Sequence, residues 1–397
     1  STLVSPQKLP FFGILPQTAE LKYYGVSGFE IPSLPVLAPE DRSSQTNLVE
    51  EILYRFQLYL LELHEAGSGR SIALQLTAHP ELSHFVSQVR IYVLVRSAQD
   101  SQAAAREDVL RLARQAAQCF PRGGIFNYGQ ERWLSESELR VALHQDGQAQ
   151  LAEIVKHEEY QSIENDSLRY VPHRYWADRR RDSWPLLIEN LAQSRAQTSL
   201  RVELTPTRLD RQTGLEAITE VLQWFSVIDE DMTRKASHGE NVRSDGVTTE
   251  DMMRAPIVSW ARSRPKYVQR GKEVYEQLVS QADRLFGIRV LLASNEALSQ
   301  SVVGAGRAGL CSPPPDENNG WNRPAVLKGD RDSLESLHWL AQTNLQATSP
   351  PPELFQQLDL RRIVTAEEAV SLFHLPIYDR IGQTSALSTA DTPFVIP

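Results

Sequence analysis

SIALQLTAHP (Ser71–Pro80) and QVRIYVLVRSA (Gln88–Ala98) are the stretches that decide the fold. In the first, Ile72, Leu74 and Leu76 alternate with small or polar residues. In the second, Ile91, Val93 and Val95 alternate, while Tyr92 and Leu94 make the other face apolar as well. A period of two predicts strands, and a strand apolar on both faces belongs inside a sheet or beneath a helix. Helical patterns lie on either side. Upstream, TNLVEEILYRFQLYLLELHEAGSG carries Leu48, Ile52, Leu53, Phe56, Leu60 and Leu63 at helical spacing, and its glycines end the helix in a turn. Downstream, DSQAAAREDVLRLARQAAQCF is a second helix, stopped by PRGG.

The same order of elements recurs later. TSLRVELTP alternates at Leu200, Val202 and Leu204, and TGLEAITEVLQWFSVI is an amphipathic helix. YVQRGKEVYEQLVSQADRLFG predicts a helix with Val274, Leu278, Ala282 and Leu285 on one stripe, and IRVLLAS predicts a strand. The expected class is α/β in the α+β sense: two small ferredoxin-like or related sheet–helix modules with extended N- and C-terminal arms. The repeat is one of element order, not of residues. The boundaries read as an extended arm at 1–45, a first module at 46–130, and a polar insertion or linker at 131–197. A second module follows at 198–306, then a loop-rich connector at 307–360, and a short capped helix with a terminal arm at 361–397. The arm contains short strand-like runs, LKYYGV and FEIPSL, and polar loops are expected at 235–250 and 307–325.

The chain has 397 residues, enough for real cores. Its 41 basic and 50 acidic side chains leave a net charge of −9, which argues against a protein that coats nucleic acid generally but leaves room for a local basic groove. Two cysteines, Cys119 and Cys311, provide neither a disulfide framework nor a multi-cysteine metal site, which fits a reducing compartment. No signal peptide and no membrane span are read. A cytoplasmic protein without a membrane partner is expected.

No catalytic residue, metal ligand set or cofactor is assigned from the residues. His79 and His84 flank a short turn, His157 stands beside Glu158 and Glu159, and neither arrangement has metal-ligand spacing. No G-x-S-x-G elbow occurs. Cys119 ends an apolar helix stripe, a place for a buried thiol. Glu158 with Glu159, Asp229 with Asp231, and Glu367 with Glu368 read as solvated surface. The strongest local signals are basic and aromatic. RYVPHRYWADRRRDSW holds Arg174, Trp176, Arg179, Arg180, Arg181 and Trp184, and WARSRPKYVQRGK holds Arg262, Arg264 and Lys266. Arginines neutralise phosphates and rings stack on bases. The same residue types also concentrate at protein interfaces, so both an interface and a nucleic-acid contact are open.

Near the end of the chain, RRIVTAEEAVSLFHLPI spaces Thr365 and Glu368 as a capping box ahead of Ala366, Ala369, Val370, Leu372 and Phe373, with Pro376 ending the helix. This is read as a docking helix at a domain edge. VTAEEAVSLFHLP resembles the TxEExAxLxHxP segment of the HerA/FtsK/VirB4-like family of DNA-translocating ATPases, through Thr365, Glu367, Glu368, Leu372, His374 and Pro376, with Val370 in place of the family's alanine. In conjugation-associated members that segment stands just before the ATP-binding domain. The G-x-x-x-x-G-K-[S/T] phosphate cradle is missing from these residues. GAGRAGL (Gly304–Leu310) lacks the lysine that would follow and reads as a mobile turn. The resemblance implies the motor-less N-terminal part of such a bacterial translocase: a non-catalytic assembly and positioning module, with ATPase activity only if a P-loop domain lies beyond the chain end. It also implies a homo-oligomer, hexameric by analogy, with at least one protein partner in conjugation or anti-phage defence. Two competing classes are a scaffold protein of a phage or contractile-injection particle and a nucleic-acid-binding accessory protein.

Overall fold

The computed structural model describes residues 23–34, 36–37, 45–67, 69–80, 88–122, 130–144, 150–156, 158–163, 167–172, 184–209, 214–237, 265–310, 325–328, 360–376 and 378–379. In chain order the first elements are β1 (Tyr23–Ile31), β2 (Val36–Leu37), α1 (Gln45–His64), β3 (Arg70–His79), β4 (Gln88–Gln99), α2 (Gln102–Gln118), β5 (Arg132–Trp133) and α3 (Glu136–Ala142). Then come β6 (Gln150–Val155), β7 (Glu158–Ile163), β8 (Ser167–Pro172), α4 (Trp184–Ala192), β9 (Thr198–Thr207), α5 (Leu215–Ser237) and α6 (Pro265–Ser280). The last are β10 (Leu285–Ser294), α7 (Gln300–Leu310), β11 (Ala325–Lys328), β12 (Ile363–Thr365), α8 (Ala366–Val370) and β13 (Tyr378–Asp379).

One large antiparallel sheet organises the chain. Its strands run β11-β6-β10-β9-β3-β4-β1-β5, with β12 added beside β10. The order is palindromic. Its first half, β1-α1-β3-β4-α2-β5, places its strands fourth, first, third, second across the sheet, which is the ferredoxin-like arrangement. The second half, β6-α4-β9-β10-α7-β11, repeats it, with α5 and α6 inserted between β9 and β10. The two second strands, β3 and β9, pair antiparallel and weld the halves. Residues 23–31, read as part of an arm, are therefore an interior strand, and residues 150–155, read as linker, open the second half.

The repeat holds at the level of single positions. A single rung crosses the sheet through Trp133, Phe29, Val93, Leu74, Val202, Val290, Ile154 and Val326. Every member is apolar and belongs to, or packs against, one core cluster. Leu74 and Val202 meet at the centre. Counting upstream equally from each, Phe56 matches Trp184, Leu60 matches Ile188 and Leu63 matches Leu191, and all six are buried. Strand side chains alternate between faces, so Ile72, Leu74, Leu76, Leu200, Val202 and Leu204 face a single layer formed by α1, α2, α4, α7 and α8.

Three local readings change. GAGRAGL is the C-terminal part of α7, not a mobile turn. Its glycines disfavour helix, but a Cβ on Gly306 would lie 2.7 Å from Ile154 Cδ1, so glycine lets α7 approach β6 closely. Leu285 begins β10 rather than closing the helix stripe, because it pairs with Thr207 and Thr365. Residues 235–237, expected to open a polar loop, belong to α5, which runs to Ser237; the rest of that expected loop lies outside the described residues.

α5 and α6 cross closely. A Cβ on Gly271 would sit 2.5 Å from the Phe225 ring, and a separate cluster including Tyr267, Tyr275, Leu285, Leu360 and Ile363 joins this hairpin to the sheet end. The corner of α2, β3 and β4 is fixed by Asp108. Its carboxylate accepts Arg70 Nε (2.8 Å) and Nη2 (2.9 Å), Arg111 Nη2 (2.5 Å) and the Ser97 hydroxyl. Burial pushes this carboxyl up, but the hydrogen bonds from Arg70, Ser97 and Arg111 outweigh it and hold it well below the usual range.

Candidate functional site: the clamped terminal segment and the polar seam

The second face of the sheet also alternates as the strands require, yet its polar side chains are buried. Across the weld, Ser71 faces Thr205 (2.7 Å between hydroxyls), Ala73 faces Glu203, and Gln75 faces Arg201, whose Nε donates to Gln75 Oε1 (2.7 Å). Gln75 Nε2 donates on to Thr77 Oγ1 (2.9 Å) and to the Ala142 carbonyl (2.7 Å) of α3. The amide at position 75 thus connects the weld to the helix covering it.

Charges continue from the seam toward the end of the chain. Arg96 on β4 stands opposite Ser71 of β3, and its guanidinium lies 4.8 Å from the centre of the Tyr24 ring on β1. Among the described residues, Arg96 Nε, Arg96 Nη1 and Glu203 Oε2 have no hydrogen-bond partner. Burial lowers the Arg96 pKa to about 10 and raises that of Glu203 to about 7, the neighbouring Arg289, Arg96 and Arg201 opposing the latter shift. Arg289 follows Glu203 in register, and its Nε lies 3.8 Å from Glu153 on β6.

Glu153 is half of a reciprocal clamp. Its carboxylate accepts Arg362 Nε at 2.9 Å and Nη2 at 2.7 Å, a bidentate pair in which the side chains are 1% and 6% exposed. Three residues on, Lys156 Nζ donates to the Ile363 carbonyl (2.7 Å) and to Glu368 Oε1 (3.1 Å). β6 and the residue that follows it therefore present a negative then a positive charge, and the terminal segment answers with a positive then a negative one. A shifted register would oppose like charges, so the pairs specify position as well as holding it. A shallow cleft lined by Lys156, Val274, Gln277, Leu278, Thr365 and Glu368 opens beside the clamp. Lys156 and Glu368 are engaged by the clamp and Thr365 caps α8, so the cleft reads as a joint between α6 and the terminal segment.

Thr365 caps α8 as its spacing predicts, accepting from the Glu368 amide at 3.2 Å. The residues after it are core. Ala366, Ala369, Val370, Leu372, Phe373 and Leu375 belong to the main cluster, His374 and Pro376 are buried, and Glu367 is half-buried. Phe373 meets Tyr59 of α1 (6.5 Å between centroids), and His374 meets Trp184 of α4 (6.0 Å). The docking helix thus docks onto its own double unit, between the paired helices of the two halves.

This placement corrects one candidate contact. Trp184 is 2% exposed and packs on His374, so it is core and has no face left for a base or a partner. Lys266, near the start of α6, is exposed. Arg174, Trp176, Arg179, Arg180, Arg181, Arg262 and Arg264 lie outside the described residues, as do His84, His157 and Cys311. Glu158 and Glu159 belong to β7, paired with β8 as a separate ribbon. Asp229 receives Lys272 Nζ at 2.7 Å. His79 Nε2 meets the Tyr92 hydroxyl at 2.9 Å. Cys119 is half-buried, and burial raises its pKa, the opposite of thiolate activation.

One arrangement was not legible in the sequence. His144, at a backbone φ of 54°, places Nδ1 2.7 Å from Asn295 Oδ1 and Nε2 2.5 Å from Ser199 Oγ. With the asparagine oxygen accepting, Nδ1 carries the proton and Nε2 accepts from the serine hydroxyl. The order matches a nucleophile, base and orienter. Both Ser199 and His144 are buried, however, and burial lowers the imidazole to about 4, too weak a base for neutral pH. It pins α3 to β9 and to the end of β10. Among the described residues, no group of three or more His, Cys, Asp or Glu is placed to hold a metal, and no helix is long and apolar enough to cross a membrane. No protein-family model matches the chain, and no curated protein is similar to it.

Proposed function

We propose that the chain is a non-catalytic assembly and positioning platform of a HerA/VirB4-like DNA translocase, acting in conjugation or anti-phage defence. It works in the cytoplasm as a homo-oligomer, by analogy a hexamer, and recruits a protein partner or guides a substrate. The supporting observation is the placement of the motif-bearing segment. Residues 360–376 enter the junction of two ferredoxin-like halves, bury their apolar side chains and exchange charges with β6. A segment held in this way fixes the direction of the chain at Pro376 relative to both halves. Orientation imposed at one end is carried through β12 into β10 by backbone pairing, as a platform requires.

The test is the solution mass of the purified chain over rising concentration, with ATP turnover measured in parallel. A discrete oligomer without turnover is expected. A monomer at the highest soluble concentration contradicts the assembly role, and hydrolysis of ATP by the chain alone contradicts the non-catalytic one.

A further inference from the structure

We infer that the helix layer carries a docking surface, centred on Tyr54 and Leu58 of α1 and echoed at Leu186 of α4, for a basic amphipathic helix of a partner protein. The inference stands apart from the translocase reading, since it uses neither the terminal segment nor the resemblance.

Tyr54, Leu58 and Leu186 are 56%, 45% and 51% exposed, in a layer whose other large apolar side chains mostly face the sheet. Tyr54 and Leu58 stand one turn apart on one face of α1, and Leu61, which also packs against the main core, continues that face at i+7. A lone exposed leucine needs no explanation, but a stripe does. The internal repeat adds a second observation. Leu58 lies as far upstream of Leu74 as Leu186 lies upstream of Val202, so the two exposed leucines occupy the same position in the two halves. Their buried neighbours Leu60 and Ile188 match in the same way.

Charge selects the occupant. Glu50 and Glu65 stand beyond the two ends of the stripe, Glu51 and Glu62 lie along one flank, and all four are exposed. Arg55, the basic residue on that flank, pairs with Glu51 at 2.8 Å and the two charges offset, leaving Glu50, Glu62 and Glu65 as the acidic rim. Beside Leu186, Glu189 is exposed one turn on. A second copy laid face to face would set glutamates against glutamates, and phosphate-bearing surfaces are repelled. A helix with apolar anchors at i and i+3 or i+4, flanked by Lys and Arg, satisfies both the apolar centre and the acidic rim. Helix-on-helix packing also suits an apolar face carried by a helix.

The probe is a fluorescent peptide of about 18 residues, long enough for several turns, with leucines at helical spacing and Lys/Arg elsewhere. Controls are the same composition with the leucines scrambled, and a version with Glu replacing Lys/Arg. Binding to the full chain is read by anisotropy. The basic amphipathic peptide is expected to bind saturably and to weaken as salt rises. Leu58→Asp should weaken it by about tenfold or more, equivalent to one decade in Kd, and Leu186→Asp by less. Val227→Asp, at an equally exposed site on α5, should leave it unchanged. Each substituted residue is exposed, so folding is retained, and circular dichroism checks this. Absence of saturable binding, equal binding of the scrambled peptide, or an unchanged Leu58→Asp overturns the proposal. So does a chain whose solution mass halves on Leu58→Asp, which would mean that a second copy covers the stripe.

Discussion

Removing the charge of Glu153 should loosen the end of the chain far more than removing the pair. Glu153 and Arg362 are 1% and 6% exposed and share two short hydrogen bonds, and Arg289 approaches the same carboxylate at 3.8 Å. Glu153→Gln removes the carboxylate charge with which the buried Arg362 guanidinium pairs and which the half-buried Arg289 approaches. Breaking one side of such a pair costs about 3–5 kcal/mol, whereas replacing both members by apolar groups of similar volume is often neutral. Glu153→Gln and Arg362→Met should therefore each lose several kcal/mol, and Glu153→Leu with Arg362→Met should recover much of it, discounted for the residual demand of Arg289. Urea unfolding read by tryptophan emission suits the measurement, because Trp184 packs on His374 within the clamped region. A double-mutant cycle isolates the coupling. Singles within about 0.5 kcal/mol of wild type, the range of ordinary surface substitutions, would refute the clamp.

Leu74→Ala, at the centre of the rung that welds the halves, should cost about 2–5 kcal/mol and lower both halves in one unfolding transition; separate transitions by two probes would oppose a single welded unit. Gly271→Ala should destabilise by about 1–3 kcal/mol in thermal melts despite the better helix propensity of alanine, since its Cβ meets the Phe225 ring at 2.5 Å. His144, held neutral in the fold with a pKa near 4, must take up a proton on unfolding below about pH 6.5. Its contribution is therefore complete above about 6.5 and is lost as pH falls toward 4; His144→Gln should flatten that slope in denaturation midpoints measured across the window. Asp108 works at lower pH. Its depressed pKa adds stability above about pH 4 that fades on further acidification, and Asp108→Asn should remove that dependence while costing stability at pH 7.

Much of the fold is visible in local periodicity. β3, β4 and β9 alternate cleanly, and α1 and α2 show their stripes, so the α+β class and the repeated order follow from short-range pattern. What pattern hides is long-range. β6 reads QLAEIV followed by Lys156, and its charges look like a polar linker until Arg362 and Glu368 arrive from more than two hundred residues away. β1 contains Gly25 and Gly28, which depress strand propensity, yet it pairs with β4 along its whole length. The glycines of α7 look like a turn because their purpose, contact with Ile154, is tertiary. Trp184 follows an arginine run, and its role as counterpart to Phe56 emerges only once Leu74 meets Val202. One missed signal was local: Ser135 and Glu138 form a complete capping box for α3. In the candidate site, Thr365 was legible as a cap, but the inward turn of Leu372, Phe373 and His374 depended on α1 and α4 standing on either side.

Native-state hydrogen exchange compares the terminal segment with the weld most directly. If residues 363–373 are integral to the double unit, their hydrogen-bonded amides, including those of Leu372 and Phe373, should open with the same free energy as the paired amides of β3 and β9. Rapid exchange of 363–373 while β3 and β9 stay protected would show a segment that merely rests on the sheet, contradicting the clamp and the positioning role built on it.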